Sequence, residues 1–175
     1  MTRSLLVILA LALASAAADL PDISLATAAW TPTAGVTIEA GVASLSGDPA
    51  AYRRATLTLP GEGLAGRTIR FSAQVLTQGL AQGKDIAYAS PKLKVINAAT
   101  QAVMAVNNFG VQEHPAWTPV AVEVTVPKGH TAPVILEIGL QLCTGLFKAR
   151  EASLAEVQPW RWRVLDGGQK STFDK

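Results

Sequence analysis

The sequence of 175 residues contains one cysteine, Cys143, and two histidines, His114 and His130. A single thiol cannot close an intramolecular disulfide, so the fold has to be held by its core, and a chain of this length can bury one. Cys143 ends the apolar run Leu140-Gln141-Leu142, a place that suits a small buried thiol better than a nucleophile. Neither histidine has a second histidine or a cysteine at metal-ligand spacing. There is no Gly-x-Ser-x-Gly elbow and no glycine-rich phosphate loop. The lysines and arginines are scattered and the net charge is only +2, which argues against DNA or RNA as a partner. These absences point to binding and not to catalysis.

The one long hydrophobic run lies at the N-terminus. Arg3 supplies a positive start, Leu5 to Leu13 an apolar stretch, and Ala16-Ala17-Ala18 a small-residue site before Asp19. The stretch is too short for a spanning helix and reads as a secretory signal. Residues 1–18 are therefore expected to be removed. The expected product is secreted or periplasmic, with no membrane insertion, and a net charge of about +1 once Arg3 is gone. A β-domain is expected over residues 19–165 and a flexible tail over 166–175.

The remaining pattern is β throughout. Trp117 to Val157 sets it out most clearly. Val120, Val122, Val124 and Val126 alternate with Ala121, Glu123 and Thr125. After the turn Lys128-Gly129-His130-Thr131, residues Val134, Leu136, Ile138, Leu140 and Leu142 alternate with Ile135, Glu137, Gly139 and Gln141. A Thr144-Gly145 turn precedes the last run, Glu151 to Val157. Upstream, Asp22–Trp30 reads as an edge-like strand, and Val36–Ala40, Val42–Ser46 and Ala55–Leu59 as further strands. Arg67–Gln78 is the longest, with Ile69, Phe71, Ala73 and Val75 facing a core. Lys92–Asn97 carries its two lysines on one face, and Val103–Gly110 returns from it. About eight to ten strands at this spacing predict an all-β antiparallel sandwich.

The closing block resembles the end of jelly-roll, galactose-binding-domain-like carbohydrate-binding modules, of the kind attached to bacterial glycoside hydrolases. The residues that carry this are the Trp117-Thr118 opening, the Val126-Pro127 end, Leu136-Glu137-Ile138-Gly139-Leu140-Gln141, Thr144-Gly145 and Ala152-Ser153-Leu154-Ala155-Glu156-Val157. Arg67 to Val75 is similar to the central strand of such modules, and Tyr88 to Val95 to the segment after it. The resemblance covers residues 36–157. It implies a non-catalytic module that binds a carbohydrate or polysaccharide. It implies no cofactor; a structural Ca²⁺, common in such sandwiches, would find Glu151 as the only carboxylate in Lys148–Leu154, at the start of the last strand.

Sugar recognition pairs aromatic rings with planar polar groups. The ligand-binding candidates are Tyr88 in a long loop, Trp117 at a strand start, and Arg70, Gln74 and Gln78 along one strand face. Asn108, with Asn107 and Gln141, completes the set. Trp160 and Trp162 form either an exposed platform or a closing strand. Arg53 and Arg54, after Tyr52, read as a solvated turn or as partners for an acidic saccharide. A second reading keeps the fold and replaces the sugar with a protein partner at the cell surface or in the periplasm. A third, hydrolytic reading would place Glu123 and Glu137 face to face on adjacent strands as an acid/base pair; solvent-facing strand carboxylates are the plainer account.

Overall fold

The computed structural model describes residues 19–82, 90–111 and 113–157, and within them the chain folds as two five-stranded antiparallel sheets with no α-helix. The strands are β1 (Thr31–Pro32), β2 (Val36–Glu39), β3 (Val42–Ser46), β4 (Tyr52–Leu59), β5 (Thr68–Gln82), β6 (Ser90–Asn97), β7 (Val103–Asn108), β8 (Thr118–Thr125), β9 (Val134–Gln141) and β10 (Cys143–Glu156). The first sheet has the order β1-β4-β9-β6-β7 and the second β2-β3-β10-β5-β8. Without the edge strands β1 and β2, the orders β4-β9-β6-β7 and β3-β10-β5-β8 are those of a jelly roll.

Period-two alternation decides which side chains enter the core. Ala55, Leu57 and Leu59 of β4 meet Leu136, Ile138 and Leu140 of β9 and Leu93 and Val95 of β6. The second sheet supplies Ala43, Leu45, Ile69, Phe71, Val75, Phe147 and Ala149. Burying each large apolar side chain contributes roughly 1.5–3 kcal/mol, which is what holds a disulfide-free sandwich together. Cys143 is fully buried, and its Sγ–H donates to the Gln141 carbonyl at 3.2 Å. Burial pushes this thiol's pKa up, with Lys92 pulling the other way, so it behaves as a core residue and not as a reactive thiolate.

The segment Asp22–Trp30 is not a strand. The Asp22 carboxylate accepts from the Ser24 amide at 2.9 Å and from the Thr27 hydroxyl at 2.6 Å, which curls the backbone into turns. Ile23, Leu25 and Trp30 are thereby turned into the core. The Trp30 indole donates to the Ile23 carbonyl at 3.0 Å and stacks on Phe71 with ring centroids 6.3 Å apart. The expected Thr144-Gly145 turn is also absent. β10 runs through it as a bulge, because the left-handed Gly145 (φ 93°) lets the Gly79 carbonyl approach. The turn falls instead at Leu142 (φ 52°), where the chain crosses from the first sheet to the second. β5 continues beyond Gln78 to Gln82, pairing Ala81 with Thr144 and Gln82 with Cys143.

Candidate functional site

The outer face of the first sheet is built around a carboxylate that the fold covers. Glu137 lies on β9, the middle strand, with Thr56 of β4 on one side and Lys94 of β6 on the other. Its neighbours Leu136 and Ile138 fill the core, so alternation turns Glu137 outward. Its side chain is nevertheless only 1% exposed, and it is not the solvent-facing carboxylate that the sequence pattern suggests.

Three side chains close over it. The Tyr52 hydroxyl donates to Glu137 Oε1. Lys94 Nζ lies 3.0 Å from the same oxygen, and Arg54 Nη1 lies 3.5 Å from Oε2. Tyr52 can reach this position because residue 139 is a glycine. A Cβ there would stand 2.7 Å from the Tyr52 hydroxyl and 2.8 Å from its ring. Lys94 Nζ sits 4.5 Å and Arg54 Cζ 5.6 Å from the centroid of that ring, within cation–π range. Burial and the Glu137 charge push the Tyr52 hydroxyl well above the usual tyrosine range, against the pull of Arg54, so it stays a donor.

One step along the sheet, Lys92 lies between Gly139 and Asn108 in the register and donates to Gln141 Oε1. Burial, and secondarily the Lys94 charge, pull the Lys92 ammonium below the ordinary lysine range, while Cys143 and Glu137 act in the opposite direction. Toward solvent the face offers a half-exposed guanidinium (Arg54, 47%), the amides of Gln141 and Asn108, and the hydroxyls of Thr56 and Thr58. Such a surface can hydrogen-bond hydroxyls and carboxylates. It is not an acid/base site, because Glu137 is sealed. Glu123, its imagined partner, lies on β8 in the other sheet, so the two carboxylates do not face each other.

The candidates from the sequence divide between the two outer faces. Asn108 and Gln141 lie on the face just described. Arg70, Gln74, Gln78 and Trp117 lie on the second sheet's side. There Arg70 Nε donates to Glu123 at 2.6 Å, and Trp117 is half-buried with Arg150 Cζ 4.3 Å from its ring centroid. Gln74 pairs in register with Arg150, which gathers Gln74, Arg150 and Trp117 beside the start of β8. Asn107 is structural: its amide donates to the Ala121 carbonyl at 2.8 Å and ties β7 to β8. Glu151 faces Arg150 at 3.3 Å. Tyr88, Trp160 and Trp162 lie outside the described residues. Tyr52, Lys92 and Lys94 are not among the ligand-binding candidates of the sequence; Arg54 enters there only with Arg53, as a solvated turn or a partner for an acidic saccharide, and Glu137 only as half of an acid/base pair with Glu123. What was missing was the register that joins β4, β9 and β6.

No family model matches the sequence, and no curated protein does. Solved structures do. A CBM4 carbohydrate-binding module superposes with a TM-score of 0.55 at 11% identity, over 73% of this chain and 78% of that one. The two share a fold. A cyclase from Fischerella sp. TAU, in complex with an indolyl butanone, gives 0.50 at 9% identity over 75% and 73%. The CBM22-1 xylan-binding domain from Paenibacillus barcinonensis gives 0.48 at 14% over 78% and 93%. A binding module and an enzyme are thus both built on this sandwich, and function has to be read from its faces.

Proposed function

We propose that this chain is an exported, non-catalytic module that binds carbohydrate along the outer face of its first sheet. The observation that carries the reading is the Tyr52 ring laid across Gly139 and flanked by Arg54 and Lys94, with Gln141 its partner in register and Asn108 farther along the same face, beyond Lys92. An aromatic surface bordered by planar amides and cations is the chemistry that sugar hydroxyls and C–H faces require. The sealing of Glu137 supports a binding role over hydrolysis, since a general acid has to reach its substrate. The signal-like residues 1–18 and the family resemblance support export and a polysaccharide ligand.

A glycan array followed by calorimetry tests this reading. The wild-type protein is expected to bind at least one polysaccharide, and Tyr52→Ala to weaken that binding at least tenfold while remaining folded. Unchanged affinity in a folded Tyr52→Ala would remove this face from the site. Binding to no glycan would favour a protein-interaction sandwich, for which the exposed Val103 and Val106 on edge strand β7 offer a surface.

A further inference from the structure

The sign of the charge on the proposed face leads further. The outer face of the first sheet, among the described residues, carries Arg54, Lys92 and Lys94 against Glu137, three cations to one carboxylate, or a net +2. Among the described residues the outer face of the second sheet balances: Arg70, Lys148 and Arg150 stand against Glu39, Glu123 and Glu151. Of the other described arginines, Arg53 pairs with Asp48 at 3.0 Å and Arg67 with Glu156 at 2.6 Å. The described residues together hold nine Lys and Arg against ten Asp and Glu, so among them the excess of cations belongs to this face and not to the molecule at large.

The charges also differ in how firmly they are held. Lys94 is 14% exposed and lies 3.0 Å from Glu137. Arg54 is 47% exposed, and its 3.5 Å contact with Glu137 is longer than a good N–H···O bond. Its planar fork, close to the Tyr52 ring, matches the geometry of a carboxylate.

We propose, resting on the carbohydrate-binding reading, that the ligand is an acidic polysaccharide whose uronate carboxylate meets Arg54 and Lys94 beside the Tyr52 ring. The sugar ring then lies toward Gln141 and Asn108. The shared field of three cations favours a carboxylate over a neutral sugar, and salt weakens the interaction.

The test uses polygalacturonate, alginate and glucuronoxylan, each beside the same polymer with its carboxyls reduced to primary alcohols, with dextran sulfate as a further probe. At least one uronate polymer is expected to bind tenfold or more tightly than its reduced form, and more tightly than dextran sulfate. Arg54→Gln should abolish that preference, and Lys148→Gln, on the opposite sheet, should preserve it. Equal binding of an acidic polymer and its reduced form would overturn the uronate assignment and leave carbohydrate binding standing. Tighter binding of dextran sulfate would overturn it in favour of sulfate esters. Binding to none of these polymers, while a neutral glycan binds, would overturn it too; binding to no glycan at all would overturn the carbohydrate reading with it.

Discussion

Glu137 and Tyr52 show how a residue's environment is set by strands far from it in sequence. Period two points Glu137 outward and goes no further, because the side chains that bury it arrive from β4, more than eighty positions upstream, and from β6, more than forty. The same long-range register makes the Tyr52 hydroxyl a buried donor. Its folded pKa lies above the unfolded value near 10, so at high pH the folded state binds more protons than the unfolded one. The stabilisation from Tyr52 is therefore intact below about pH 10 and is lost as the pH rises beyond it. Tyr52→Phe is expected to be less stable than wild type at neutral pH, by about 1 kcal/mol for the lost hydrogen bond. The gap should narrow between about pH 9 and pH 11, measured as urea midpoints. A constant gap across that range would mean that the hydroxyl is not held in its protonated form by the fold.

At the scale of elements, the strands were legible where alternation is unbroken and misleading where glycine or polar side chains intervene. The β4 and β8 patterns locate their core faces directly, since their outward residues stay open to solvent, whereas β6 and β9 are buried on almost every residue and their outer faces are legible only from the fold. Asp22–Trp30 misleads, because a carboxylate can satisfy backbone amides locally and turn a strand-like run into a plug. The Thr144-Gly145 pair looked like a turn because the sequence does not distinguish a glycine at a bulge from one at a reversal. β10 has a second irregularity between Arg150 and Ser153, where Glu151 adopts φ 52°. A left-handed conformation costs a non-glycine residue about 1–2 kcal/mol, and the exposed Glu151–Arg150 pair returns little of that. Glu151→Gly is accordingly expected to stabilise the protein by roughly 0.5–1 kcal/mol, raising the melting temperature by about 1–4 °C. A lower melting temperature would show that the bulge depends on the carboxylate.

For the whole molecule, the sandwich follows from patterning, but the choice between its two outer faces does not. Arg70, Gln74 and Gln78 are legible as a set because they are neighbours in sequence on one long strand. Tyr52, Arg54, Lys92, Lys94 and Gln141 come from three strands and become neighbours only through the jelly-roll order β4-β9-β6. Among the described residues the fold also separates the charge, leaving one face balanced and the other cationic, which the composition does not reveal. The most direct test of this account is to map the ligand. The polysaccharide bound most tightly in the panel above, cut to a short oligosaccharide, is titrated into isotope-labelled protein while backbone amide shifts are followed. The account predicts shifts concentrated in Tyr52–Leu59, Ser90–Asn97 and Val134–Gln141. Shifts confined to Thr68–Gln82 and Cys143–Glu156 would place the ligand on the opposite sheet and contradict it.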